Sequence, residues 1–299
     1  MGTWNHVPSG GNPRPNMKPL AWITGAGGLI GNYLAQAAPE FAPAWRVRGL
    51  ARAELDLQDF DAMRRAFRNQ RPQLIVHCAA MSRSPECQSK PESARWTNVD
   101  ITEMLVHLAG DTPLVFFSTD LVFDGRSGNY DETSRVNPLS VYAETKVAAE
   151  RIVLANPRHL VIRTSLNAGA SLTGDRAFNE QLRLAWQRGE RTRLFTDEFR
   201  SPIPAVVTAR AVWELVNARQ TGIFHVAGAE RLSRYEIGKL LAARWPKLNP
   251  QIEAASAMDL PNPPRPPDTA LNCAKVQKVL SFQLPAFSEW LRNHPDDLL

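Results

Sequence analysis

The chain has 299 residues, enough for one large α/β unit or a core domain with a smaller companion, and too many for a mini-protein held by metal or disulfide staples. Hydrophobic residues make up 43% and charged residues 22%, a balance that excludes general disorder and predicts a packed core. The 35 Lys and Arg against 30 Asp and Glu leave a net charge of +5, yet the signs interleave, as in Glu54 and Asp56 near Arg64 and Arg65, so nucleic acid is not an expected partner.

Residues 1–18 are rich in breakers (Pro8, Ser9, Gly10, Gly11, Pro13, Pro15), which predicts a flexible N-terminal extension. Beyond it, short apolar runs alternate with longer amphipathic segments. Leu20 to Thr24, Trp45 to Leu50, Leu74 to Cys78, Leu114 to Ser118 and Leu160 to Arg163 read as strands. Their continuous apolar character suits strands covered on both faces, so the expected fold is α/β, a doubly wound parallel sheet of Rossmann type. After Arg163 the rhythm changes. A basic amphipathic segment (Phe178 to Arg188), a strand (Gly222 to Val226), a helix (Ser233 to Arg244) and a proline-rich loop (Pro261 to Pro267) predict a smaller C-terminal substrate-binding lobe. The dinucleotide-binding domain is expected over residues 19–165 plus about 204–228, and the lobe over about 166–203 plus 229–299.

The first strand runs into Thr24-Gly25-Ala26-Gly27-Gly28-Leu29-Ile30-Gly31. In a strand-turn-helix context, Gly25 serves the tight turn, Gly28 the approach of backbone to a pyrophosphate, and Gly31 the packing of helix on sheet. The N–H groups at the helix start, at Leu29 and Ile30, then face the phosphates. At the end of the second strand, Gly49-Leu50-Ala51-Arg52 lacks the carboxylate that would accept from a ribose 2′-hydroxyl. Arg52 suits a 2′-phosphate, so NADPH is the expected cofactor, with NADH second because Glu54 lies close by. Asp56 and Leu57 are positioned to border the adenine, with helix capping as the other reading of Asp56.

Tyr142 and Lys146 stand four apart in a helical segment and share one face. An ammonium beside a phenol favours the phenolate, so Lys146 is expected to lower the Tyr142 pKa toward working pH, as a general acid for carbonyl reduction requires. Tyr235 and Lys239 repeat the spacing. Only Tyr142 follows a strand ending in hydroxyls, Ser118-Thr119-Asp120, so Tyr235 and Lys239 read as an ordinary amphipathic helix. Thr119 is the expected donor to a substrate carbonyl, with Ser118 as the neighbouring candidate.

Cys78, Cys87 and Cys273 lie far apart without metal-ligand spacing and read as free thiols of a reducing compartment. No stretch has the run of apolar residues that a membrane helix needs, and the N-terminus lacks a signal-peptide core, so the cytoplasm is the expected location and no membrane the expected partner.

Together these residues resemble the extended short-chain dehydrogenase/reductase superfamily and, within it, the dTDP-4-dehydrorhamnose reductase branch. The resemblance extends from about Pro19 onward. It rests on the glycine loop, on Ser118-Thr119-Asp120-Leu121-Val122-Phe123-Asp124-Gly125, on Val141-Tyr142-Ala143-Glu144-Thr145-Lys146, on Ile162-Arg163-Thr164-Ser165, and on Arg265-Pro266-Pro267 through Leu271-Asn272. It implies an NAD(P)H-dependent oxidoreductase that reduces the 4-keto group of a nucleotide-activated 6-deoxysugar. Catalysis would fall to Thr119, Tyr142 and Lys146, with Asp120 beside the carbonyl. Ala79, Ala80 and Met81 would line the cofactor, and Asn98 would lie on the helix whose asparagine shapes the site. Leu166 stands in the substrate-binding position where this branch often carries tryptophan. The glutamates of the metal site of some members have no counterpart, so no metal is expected. The resemblance also allows an NADP-binding regulatory subunit like that of methionine adenosyltransferase, or a nucleotide-sugar epimerase or dehydratase. A homodimer is the oligomer considered.

Overall fold

The computed structural model describes residues 18–259, 265–295 and 297. Of the expected N-terminal extension only Lys18 falls within them, and the expected proline-rich loop lies outside them as far as residue 264.

In chain order, β1 (Leu20–Thr24), α1 (Leu29–Phe41), β2 (Arg46–Leu50), α2 (Phe60–Gln70) and β3 (Leu74–His77) open the fold. Two short helices, α3 (Ser84–Ser89) and α4 (Pro91–Arg95), pass through a π-helical turn (Trp96–Asp100) into α5 (Ile101–Ala109). Then come β4 (Leu114–Thr119), α6 (Val141–Leu154), β5 (Leu160–Thr164), β6 (Asn167–Ala168) and α7 (Phe178–Gln187). The remainder holds β7 (Arg191–Phe195), β8 (Phe199–Arg200), β9 (Ile203–Pro204), α8 (Ala205–Asn217), β10 (Gly222–Val226), β11 (Leu232–Ser233) and α9 (Arg234–Arg244). Strand β12 (Gln251–Ala255) and helices α10 (Ala274–Gln277) and α11 (Phe287–Asn293) close the chain.

Six strands form one parallel sheet in the order β10-β5-β4-β3-β1-β2. Strands β1, β3, β4 and β5 are buried along their whole length, as their unbroken apolar runs require. The edge strand β2 instead exposes Arg46 and Arg48, charges that discourage further pairing. One face carries α1 and α8, where the fully buried Trp213 donates its indole N–H to the Leu34 carbonyl at 2.9 Å. The other face packs Trp22, Ile75 and Phe116 against Met63 of α2 and Leu105 of α5. Strand β10, far along the chain, pairs with β5 at the opposite edge from β2.

A separate hydrophobic cluster gathers Phe178, Trp186, Ile237, Leu241 and Trp290. There β7 pairs with β12 and β8 with β11. Helix α9 begins with a capping box, in which Ser233 Oγ accepts from the Glu236 N–H at 3.1 Å and the Glu236 carboxylate accepts from the Ser233 N–H at 2.7 Å. No helix among the described residues is long and apolar enough to cross a membrane.

Because β1 lies between β2 and β3, the chain leaves β1 in one direction and returns to the other side for β3. That reversal opens a crevice beyond the carboxyl ends of the strands, the place where open α/β sheets bind ligands.

Candidate active site

At the end of β1 the chain turns through Gly25, which has a φ of 71°, and the amides of Gly25 and Ala26 donate to the Leu50 carbonyl at 3.0 and 3.3 Å. A Cβ at Gly25 would stand 2.6 Å from the Ala79 amide nitrogen, and one at Gly31 would stand 2.5 Å from the Gly25 carbonyl oxygen. Both are contacts with backbone, so neither position admits a side chain without moving the turn. Helix α1 starts with no side-chain cap and no acid in its first turn. The amides of Leu29, Ile30 and Gly31 therefore keep their donors and the positive end of the helix for a phosphate. Of the described chain, this cradle fits a dinucleotide diphosphate.

Arg52 is exposed in the turn after β2, where its guanidinium lies 3.4 Å from Asp56. Glu54 is turned back on its own loop, its carboxylate accepting from the Ala51 N–H at 2.7 Å. Its carboxylate is thereby engaged in the turn, and Arg52 is an exposed cation beyond the end of β2. Asp56 also accepts from the Gln58 N–H at 3.0 Å, and Leu57 is buried in the sheet-face core, so that side chain packs inward instead of facing an adenine. Across the crevice, Ala79, Ala80 and Met81 follow β3 as half-buried residues. Asn98, in the π-helical turn, clamps this segment by accepting from the Met81 N–H at 2.8 Å and donating to the Met81 carbonyl at 3.0 Å.

Helix α6 begins at Ser140, whose hydroxyl accepts from the Ala143 N–H at 3.4 Å. Tyr142 in the first turn and Lys146 one turn further are both buried. The Thr119 hydroxyl lies beside the phenol, close enough to favour its charged form. Thr119 closes β4, lies 3.2 Å from the Asp120 carboxylate and accepts from the Leu121 N–H at 3.2 Å. Side chains alternate along a strand, so Ser118 points to the other side of β4, where its buried hydroxyl has no partner among the described residues. The geometry thus groups Thr119, and not Ser118, with Tyr142.

The expected depression of the Tyr142 pKa is reversed. Burial first, and the nearby Asp120 carboxylate second, raise the phenol above its ordinary value, outweighing the opposing effect of the Thr119 hydroxyl. The reason is desolvation: the phenol is inside the protein. Lys146 responds in the opposite sense. Burial pushes its ammonium down to about 8, with Glu150, Cys78 and Cys87 acting against that shift. Its Nζ sits 4.0 Å from the centre of the Phe116 ring and, among the described residues, makes no hydrogen bond or ion pair. Its donors remain open to a ligand.

Asp120 is buried behind Thr119, with Ser165 donating to it at 2.7 Å and Thr269 at 3.0 Å. With both carboxylate oxygens engaged, it anchors the strand end more than it faces the crevice. Leu166 is half-buried and packs against the cluster of Phe178 and Trp186. Tyr235 and Lys239 lie on α9, with Lys239 exposed and its ammonium 5.7 Å from the Tyr235 ring centre.

A group of arginines went unread in the sequence. Buried Glu198 meets Arg200 at 3.1 Å and Arg234 at 3.9 Å, and is ion-paired with Arg265. Arg200 also lies 3.8 Å from Asp120. Burial would raise the Glu198 pKa, but the three guanidinium groups hold it below the usual carboxylate value. Three positive charges against two carboxylates leave one in excess, and the Arg234 guanidinium forms no hydrogen bond among the described residues. No local pattern announces this cluster, because β8, α9 and the segment after residue 264 meet only in the fold.

A family model described as the RmlD substrate binding domain matches residues 20–299. The chain is 29% identical to a dTDP-4-dehydrorhamnose reductase of Sinorhizobium fredii, over 91% of this chain and 95% of that protein. It is likewise 29% identical to methionine adenosyltransferase 2 subunit beta of Xenopus laevis, over 91% of this chain and 86% of that protein. Among solved structures, a dTDP-4-dehydrorhamnose reductase of Bacillus anthracis in complex with NADP has the same fold, with a TM-score of 0.84 at 22% identity over 93% of this chain and 98% of that one.

Proposed function

The chain belongs to the RmlD substrate binding domain family, and from that premise we propose that it is an NADPH-dependent reductase of the 4-keto group of a nucleotide-activated 6-deoxysugar. One observation carries the reading: the Tyr142 phenol and the Thr119 hydroxyl come together at the carboxyl end of β4, the same end of the parallel sheet at which β1 runs into the glycine turn. The glycine turn and the amides of Leu29, Ile30 and Gly31 would hold the cofactor diphosphate, and Lys146 its nicotinamide ribose. When bound, the reduced nicotinamide supplies the hydride.

Tyr142 Oη delivers its proton to the carbonyl oxygen, and the raised pKa of the buried phenol keeps that proton in place until the oxygen becomes basic. Thr119 donates a hydrogen bond to the same oxygen and steadies the charge that develops there. Asp120 holds the strand end in register behind Thr119. Once the phenolate has formed, the Lys146 ammonium is the nearby cation on the same helix face that stabilises it. The excess positive charge of the Arg200, Arg234 and Arg265 cluster suits the sugar nucleotide's diphosphate. The three cysteines are free thiols, which suits a reducing cytoplasm.

Three outcomes follow from named groups. Arg52→Ala is expected to weaken NADPH by roughly tenfold, the strength of a charged hydrogen bond, and NADH hardly at all. Titration of both cofactors by fluorescence checks this, and equal effects would remove the 2′-phosphate argument. Lys146 must carry its proton, so kcat/KM is expected to fall on the alkaline side with an apparent pKa of about 8. A pH profile of Lys146→Arg should move that limb upward, since guanidinium stays charged. Arg234→Met is expected to raise the KM for the sugar nucleotide roughly tenfold with kcat largely kept, as loss of uniform binding does.

The equal likeness to methionine adenosyltransferase 2 subunit beta supports a second reading, an NADP-binding regulatory subunit. Turnover separates the two. Purified protein given NADPH and dTDP-4-dehydrorhamnose should oxidise the cofactor in step with loss of the keto sugar. Binding of NADPH with no oxidation across related keto sugars would favour the regulatory reading.

A further inference from the structure

A line of buried side chains joins the root of the glycine turn to the helix that carries Tyr142. Thr24 Oγ1 lies 2.7 Å from His77 Nδ1, and His77 Nε2 lies 3.1 Å from Thr102 Oγ1. Thr102 donates to the Asn98 carbonyl at 2.8 Å. The Asn98 side-chain amide donates to Thr145 Oγ1 at 3.0 Å, and Thr145 donates to the Tyr142 carbonyl at 2.7 Å. All five side chains are buried, Thr24 and Thr102 completely.

The direction of every bond follows from counting protons. A threonine hydroxyl has one proton, and Thr102 commits it to the Asn98 carbonyl, so Thr102 must accept from His77. Nε2 therefore carries the histidine proton, and Nδ1 accepts from Thr24. A charged imidazolium would offer Nδ1 no lone pair for Thr24 to meet. It would also face the ammonium of Lys146, the charged group that, after burial, most lowers the His77 pKa, to about 3. Asn98 is set in a π-helical turn, a local irregularity that a plain helix would not keep without outside contacts. Its amide is fully used, on Met81 and Thr145, so its orientation sets both the segment after β3 and the first turn of α6.

We infer that His77 is a positioning residue which, as the neutral Nε2–H tautomer, ties the end of β1 to the Asn98 turn and through it fixes the first turn of α6 that presents Tyr142. Its kinetic consequence rests on the reductase reading; its tautomer does not. Breaking the line at Thr102 leaves the Thr24 end intact, so cofactor binding survives while the presentation of Tyr142 loosens.

Nitrogen-15 NMR of the histidine-labelled full chain tests the tautomer directly. The expected spectrum shows His77 protonated at Nε2 and bare at Nδ1, without change between about pH 5.5 and 8.5. A proton on Nδ1, or titration within that range, would overturn the inference. In kinetics, Thr102→Val is expected to lower kcat roughly ten- to a hundredfold, the scale of a small misplacement, with NADPH affinity within about twofold. His77→Asn, whose short amide reaches only the Thr24 side, should match that loss, whereas His77→Gln, which can still donate toward Thr102, should recover most of the rate. Equal rates in the Asn and Gln variants, or an unchanged kcat in Thr102→Val, would contradict it. Lack of turnover in the unaltered protein would count against the reductase reading alone, since the tautomer is read on the same protein without substrate.

Discussion

Tyr142→Phe is expected to lower kcat for keto-sugar reduction by roughly a hundred- to ten-thousandfold, the range that a positioned proton donor contributes. The effect should fall on kcat and kcat/KM together, because the phenolic proton is needed only as the carbonyl oxygen gains charge. NADPH affinity should stay within about twofold, since the cradle is built from Gly25, Gly28 and the start of α1, to which the phenol contributes no atom. The ring itself packs with Cys87 and Ala94, contacts that phenylalanine keeps, so folding should be little affected. Steady-state kinetics with a parallel NADPH titration would measure both, and a variant within tenfold of the unaltered protein would remove Tyr142 as the proton donor.

The second large effect concerns the turn itself. Gly31→Ala would place a Cβ 2.5 Å from the Gly25 carbonyl oxygen and 2.9 Å from its carbonyl carbon. Both atoms belong to backbone whose amide is held by Leu50, so the strain cannot be relieved by rotating a side chain. Overpacking of this kind costs about 1–3 kcal/mol. Spent on displacing the turn, that corresponds to an NADPH Kd raised by roughly five- to a hundredfold. Loss of thermal stability is expected alongside it. The cradle is overturned as the cofactor site if the alanine variant binds NADPH as tightly as before.

Much of the sheet was legible because burial on both faces leaves a plain trace: β1, β3, β4 and β5 are unbroken apolar runs, and each lies where its run predicts within a residue or two. The glycine turn was legible for a similar reason, since every contact that excludes a Cβ there is made within one strand-turn-helix unit or with the strand end beside it. The pair Tyr142 and Lys146 could be told from Tyr235 and Lys239 only by what precedes it, and Thr119 at the end of β4 supplies that distinction.

Other features depend on where the chain is buried, which spacing does not encode. The sign of the Tyr142 shift was misread because an ammonium on the same helix face is visible in the sequence, while desolvation and the Asp120 carboxylate appear only on folding. Leu57 was assigned to the cofactor because it follows Asp56, yet its side chain belongs to the core. The arginine cluster required β8, the α9 start and Arg265 to converge on Glu198 across 67 residues of chain. The π-helical turn at Asn98 differs from an α-helical one by a single inserted residue, too little to disturb an amphipathic pattern.

We propose that the Thr119, Tyr142 and Lys146 group reduces a sugar carbonyl with hydride drawn from a cofactor in the glycine cradle. The most direct test is reduction of dTDP-4-dehydrorhamnose with NADPH deuterated at the transferable C4 position, followed by mass spectrometry and NMR of the product sugar. A single deuterium is expected, located at sugar C4 and matched by an equal amount of oxidised cofactor. Product lacking the label, or label recovered only in unconsumed NADPH, would contradict it.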